Sequence, residues 1–198
     1  MGALAPLGKV AGRKKDWLVE VTIYTLAGLA TSTLVGSTLA WLGGWLLPEQ
    51  VNRSGLIVAI VVAVVAAARE LKWISFPLPQ LKRQTKDYWG KFFPGKIAAM
   101  LWGFDLGLIF TTYLTFAGVW LLAILAVLMG DPISGVLVFG LYWLGRTLSV
   151  WLAPLLMPNA GATPQVIDAI YSQYPLFQRI HVIGLVWAII VLTLWLAK

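Results

Sequence analysis

Residues 28–44 read "GLATSTLVGSTLAWLGG". Every fourth residue from the first is small: Gly28, Ser32, Gly36, Ala40 and Gly44. Four residues is close to one helical turn, so on a helix these positions share one face. In water such a face buries little apolar area and stabilises little. In lipid it lets two backbones approach, and close packing is what holds membrane helices together there. The stripe therefore specifies an environment, the bilayer, and a neighbour, another helix.

Composition agrees with the bilayer. The chain has 198 residues, 60% hydrophobic and only 12% charged, with a mean hydropathy of +0.83. Soluble domains carry about 25% charged residues. We read residues 1–198 as a single integral membrane domain. Cysteine is absent, which excludes disulfides, thiolate metal sites and thiol redox chemistry. His181 is the only histidine, so a His-rich metal centre is excluded by count. The net charge of +7 raises the question of nucleic acid. In a membrane protein it more often reflects the excess of Lys and Arg on the cytoplasmic face.

A spanning helix needs about 20 apolar residues. Five segments qualify, 19–47, 55–76, 97–129, 133–157 and 178–197. They predict an all-α, polytopic bundle of about five transmembrane helices. The N-terminal tail 1–16 and the loop 77–96 hold most of the base: Lys9, Arg13, Lys14, Lys15, Lys82, Arg83, Lys86, Lys91 and Lys96. Five helices put both on the same side, together with the loop 158–177. That side is cytoplasmic, in a bacterial inner membrane, and the C-terminus falls outside. The first apolar run is too long for a signal-peptide core, and the myristoylation pattern is not met. Nucleic acid is not expected as a partner.

Of the eleven tryptophans, ten divide into two groups by position. Trp17, Trp73, Trp89, Trp151 and Trp195 fall near predicted helix ends, where indole suits the headgroup level. Trp41, Trp102, Trp120, Trp143 and Trp187 read as packing or lipid-facing bulk. There is also an internal echo. "SGLIVAIVVAVVAAARELKWISFPLP" (54–79) and "SGVLVFGLYWLGRTLSVWLAPLL" (134–156) both open on Ser-Gly and carry Arg, Leu, Trp and Pro in that order. Gly103, Gly107, Thr111 and Thr115 repeat the every-fourth stripe of the first helix. Helices one and two thus resemble helices three and four as two copies of one hairpin, an arrangement found in transporters and in inert bundles.

Charged residues inside predicted spans are the site candidates. Arg146 lies near the middle of the fourth span, and Asp105 lies inside the cytoplasmic end of the third. An Asp105–Arg146 pair is expected, either as a structural lock or as a gated relay; the absence of a further acidic chain favours the lock. Arg69, beside Glu70, is expected to snorkel. Thr31, Thr33, Thr38, Thr111, Thr112 and Thr115 are expected to bond their own helix backbones. His181 is a candidate ligand for a haem or chlorophyll-type metal, although an interfacial histidine more often bonds lipid or loop. No cofactor is predicted, and lipid contacts are expected. No nucleotide loop, HExxH, nucleophile elbow or paired catalytic carboxylates occur, so no enzyme activity is expected.

The stretches "FPLPQLKRQTKDYWGKFF" (76–93), "LWGFDLGLIFTTYLTFAGVW" (101–120), "YWLGRTL" (142–148) and "FQRIHVIGLVWAIIVL" (177–192) resemble the cytochrome c biogenesis transmembrane family of the CcdA/DsbD type. The resemblance covers roughly residues 25–198. It implies that family's helix-packing plan. The family passes electrons through a cysteine pair in repeated helices. Here "TTYLTF" (111–116) stands where the second cysteine is expected, and the first cysteine-bearing helix has no counterpart. The departure removes the electron relay. Two functions follow from the sequence. One is a non-catalytic accessory or scaffolding subunit that packs against other membrane subunits or its own copies. The other is a small-solute transporter or channel with Arg146, Asp105 and the threonines along its path.

Overall fold

The computed structural model describes residues 14–47, 53–77, 89–111, 116–156 and 174–197. All regular structure among them is helical. The helices are α1 (Lys14–Leu46), α2 (Arg53–Glu70), α3 (Trp89–Phe92), α4 (Gly95–Gly107), α5 (Gly118–Met129), α6 (Pro132–Leu156) and α7 (Tyr174–Leu196). Three are long and apolar enough to cross a membrane, over Lys15–Leu46, Pro132–Leu152 and Pro175–Leu196. The tail 1–13, most of the loop 77–96 and the loop 157–173 lie outside the described residues.

Two of the five predicted spans end differently from expectation. The second stops at Glu70, where Lys72 takes a left-handed φ of 62°, and it carries Arg53, Arg69 and Glu70 within its 18 residues. The third is not one helix. α4 ends at Gly107 and α5 begins at Gly118. Ile109 has a φ of 60°, a conformation an α-helix cannot contain. The Thr111 hydroxyl donates to the Asp105 carbonyl at 3.0 Å, which satisfies an acceptor left open by the helix end.

The chain falls into two compact units. The first takes the start of α1, α3, α4 and the second part of α6; the second takes the rest of α1, α2, α5, the start of α6 and α7. The first unit has a core of Trp17, Val21, Tyr24, Ala98, Ala99, Trp102, Leu106, Trp143 and Val150. Trp17 is thus a core residue, 6% exposed, and not the interfacial anchor its position suggested. Its ring meets Trp151 edge-on, with centroids 6.3 Å apart. The buried Trp143 donates its indole N–H to the Thr25 carbonyl at 2.9 Å.

The opening stripe packs inside the chain. Gly28, Ser32, Gly36 and Ala40 are all buried. In the first unit, Gly28 faces the Trp143 ring, and Gly103 and Gly107 of α4 lie against Tyr24, Ala27, Gly28 and Thr31 of α1. In the second unit, a β-carbon on Gly36 would overlap the Gly135 carbonyl oxygen and lie 2.7 Å from Cβ of Phe139. Gly43 and Gly44 meet the backbone at Val127 and Gly130 in the same way. Gly130 closes α5 with a left-handed φ of 63°, as a C-terminal glycine does. Asp131 then caps α6. Its carboxylate accepts from the Ser134 hydroxyl at 2.8 Å and the Ser134 N–H at 2.9 Å, which hold its pKa below the usual carboxylate value. Pro132 follows at the first helical position, where its missing N–H costs nothing.

Two glycine-to-alanine changes separate packing from propensity. Gly145 has nothing within 4 Å of a built β-carbon, so Gly145→Ala should be neutral or gain up to about 1 kcal/mol from helix propensity. Gly36→Ala must move a backbone and should lose about 1–3 kcal/mol, the usual cost of overpacking. Thermal unfolding in detergent measures both; equal effects would mean that the stripe does not set the helix spacing.

Candidate functional site

The densest polar cluster among the described residues lies in the second unit, where α2, α5 and α7 meet. Glu70 is 3% exposed. Its Oε1 accepts from Arg69 Nη1 at 3.0 Å and from the backbone N–H of Ala117 at 3.0 Å. Ala117 is the residue from which α5 starts. A carboxylate there satisfies an open donor and favours the positive end of the helix dipole. Gln178 of α7 donates to the Glu70 carbonyl. Arg69 also donates through Nε to the Phe76 carbonyl at 3.3 Å, so it is pinned and not simply extended towards headgroups.

His181 joins the cluster from α7. Its ring stacks on Phe116, with centroids 4.7 Å apart and planes 28° apart. Its edge fills the space a side chain at Gly118 would take, with Nε2 2.9 Å from that position. Nε2 is buried with no hydrogen-bond partner. That edge of the ring faces the α5 backbone at Gly118. Among the described residues no three His, Asp or Glu side chains group as metal ligands.

The first unit holds the residues that sequence selected for the pair. Asp105 is 7% exposed, on α4. Arg146 of α6 places its guanidinium carbon 6.0 Å from the Trp143 ring centroid. It makes no ion pair with Asp105; among the described residues the ion pair is Arg69–Glu70. The cationic side chain is held by an aromatic face, a contact that lipid surroundings strengthen. Three of the described threonines bond their own helix as expected, Thr31 to the carbonyls of Ala27 and Gly28, Thr33 to Leu29 and Thr38 to Leu34; Thr111 lies beyond the end of α4 and donates instead to the Asp105 carbonyl. Thr112 and Thr115 lie outside the described residues. Sequence reasoning missed the role of Glu70. An acid closing an apolar run was visible, but its partner at Ala117 is 47 residues away. Chemically, the cluster is a lock. It holds the start of α5 through the Ala117 N–H.

The fold and these sites define an all-helical protein with membrane-compatible helices. Comparison with known proteins gives one consistent name. The chain is 29% identical over 148 residues to "Methylamine utilization protein MauF" of Paracoccus versutus, covering 74% of this chain and 54% of that protein. It is 26% identical over 147 residues to the MauF of Methylobacillus flagellatus, covering 73% and 51%. It is 26% identical over 155 residues to that of Paracoccus denitrificans, covering 77% and 54%. The chain thus spans about half the length of these curated relatives. No family model matches it, and no solved structure does.

Two substitutions test the lock. Glu70→Ala leaves the Ala117 N–H without its acceptor and Arg69 without its counter-charge. Loss of a buried partner of this kind costs roughly 1–3 kcal/mol. Glu70→Gln keeps an oxygen for Ala117 and should fall between the two. If the alanine variant unfolds at the parent's temperature, Glu70 does not hold the start of α5.

Proposed function

We propose that the chain is a non-catalytic accessory protein of the inner membrane that serves a methylamine-utilisation system. It works by packing against other membrane subunits or its own copies. The observation that carries this reading is the similarity to three MauF proteins across about three quarters of the chain. Its three membrane-compatible helices support the membrane part. If the second and third apolar segments also cross, the basic residues at 9–15 and 82–96 fall on one side and support a cytoplasmic N-terminus and an external C-terminus. A thiol-free version of the CcdA/DsbD-type helix plan belongs to the same proposal.

One observation favours transport of a small solute instead. The third apolar stretch is interrupted between Gly107 and Gly118, and interrupted helices form the binding sites of many transporters. The two readings separate in one pair of experiments. Deleting the gene in its native host should abolish growth on methylamine and leave growth on ammonium unchanged. Proteoliposomes containing the purified chain should then take up no labelled methylammonium. Normal growth of the deletion strain would contradict the accessory reading, and saturable uptake would establish the transporter.

A further inference from the structure

His181 brings a chemistry that the Glu70 lock does not use. It lies in the second unit, about two turns into α7. One face of its ring stacks on Phe116, and one edge lies against the α5 backbone at Gly118. Nε2, on that edge, is buried and makes no hydrogen bond. A buried donor without an acceptor bears its full desolvation cost. The form that fits here is therefore the neutral ring, with its proton on Nδ1 and a bare lone pair on Nε2. The charged groups around the ring are few among the described residues. α2 brings Glu70, whose charge acts on the ring, and Arg69, which is paired with Glu70. The start of α5 brings Phe116, Ala117 and Gly118, none of them ionisable. α7 itself adds the uncharged Gln178, bonded to the Glu70 carbonyl, and the exposed Arg179.

We propose that His181 is a proton switch on the start of α5. With the ring neutral, its edge fills the space over Gly118 and α7 stays seated. A proton on Nε2 creates an N–H where nothing accepts it. The imidazolium satisfies that donor by leaving Gly118 for the Glu70 carboxylate. Glu70 Oε1 already accepts from Arg69 and from the Ala117 N–H, so a further donor competes for it. Charged donors make the stronger hydrogen bonds, and the Ala117 amide is the uncharged one. It is the partner displaced. Acid thus frees the first turn of α5 and leaves Arg69 and His181 sharing one carboxylate. The seated contact is complete above the free-histidine pKa of about 6.5 and is lost as the pH falls below it. The switch adds a regulation to the accessory reading and does not depend on it.

The test is hydrogen–deuterium exchange on the full chain in detergent micelles. Mass spectrometry follows the peptide carrying residues 116–121, with rates corrected for the intrinsic pH dependence of exchange. Between about pH 7.5 and 5.5, protection at Ala117 should fall about tenfold, the change expected when one histidine of ordinary pKa takes its proton only in the released form. The peptide over residues 98–106, in the first unit, should not change. His181→Phe keeps the stack on Phe116, and His181→Gln keeps a polar group at the same place. Neither side chain titrates, so in both variants protection at Ala117 should stay constant over the interval. A parent whose protection does not change overturns the proposal. So does a fall that persists in either variant, which would assign the acid response to Glu70 or to the chain as a whole.

Discussion

The close approach of α1 to α6, backbone against backbone, is the constraint on which each unit depends. In the second unit Gly36 and Gly135 face one another with no room for a β-carbon on either. In the first, Gly28 leaves the space that the Trp143 ring fills. A large ring against a missing side chain and a glycine against a glycine are two solutions to one problem. Where helices cannot be driven together by exclusion from water, contact area must come from shape. α1 supplies that shape from Gly28 to Gly44 with a single pattern of small residues.

Polar groups are then placed so that none of this packing is opposed. The threonines of α1 donate to carbonyls of their own helix. Their hydroxyls therefore need no partner across an interface. Glu70 is the costlier case, a carboxylate almost without solvent. It is retained with an arginine, an amide N–H and a helix N-terminus around it. Removing such a group exposes the others, which is why a buried charge of this kind is better evidence for a specified geometry than for net stability.

The long helices were legible because their signal is length and apolarity. Segments 19–47, 133–157 and 178–197 correspond to α1, α6 and α7 within a few residues. The stripe was legible because smallness at period four has few other uses. The break in the third span was not. Leu108, Ile109 and Phe110 keep the hydropathy high, while the interruption lies in a backbone angle at Ile109 and a hydrogen bond from Thr111. Arg146 was rightly picked out as a charge within a span, but its neighbour is the Trp143 ring and not Asp105. Both outcomes are tertiary facts. A one-dimensional pattern identifies an unusual residue more readily than it identifies what that residue touches.

The central physical claim is that the small-residue face of α1 is occupied by α6 of the same chain. Because the sequence has no cysteine, a single introduced pair tests it without background. Thr33 Cγ2 lies 3.3 Å from the β-position of Gly140, close enough for a disulfide in ordinary geometry. With Thr33→Cys and Gly140→Cys combined, mild oxidation in native membranes should give an intramolecular cross-link and a faster-migrating monomer on a non-reducing gel. A disulfide-linked dimer, or free thiols throughout, would place something other than this chain's α6 against the stripe.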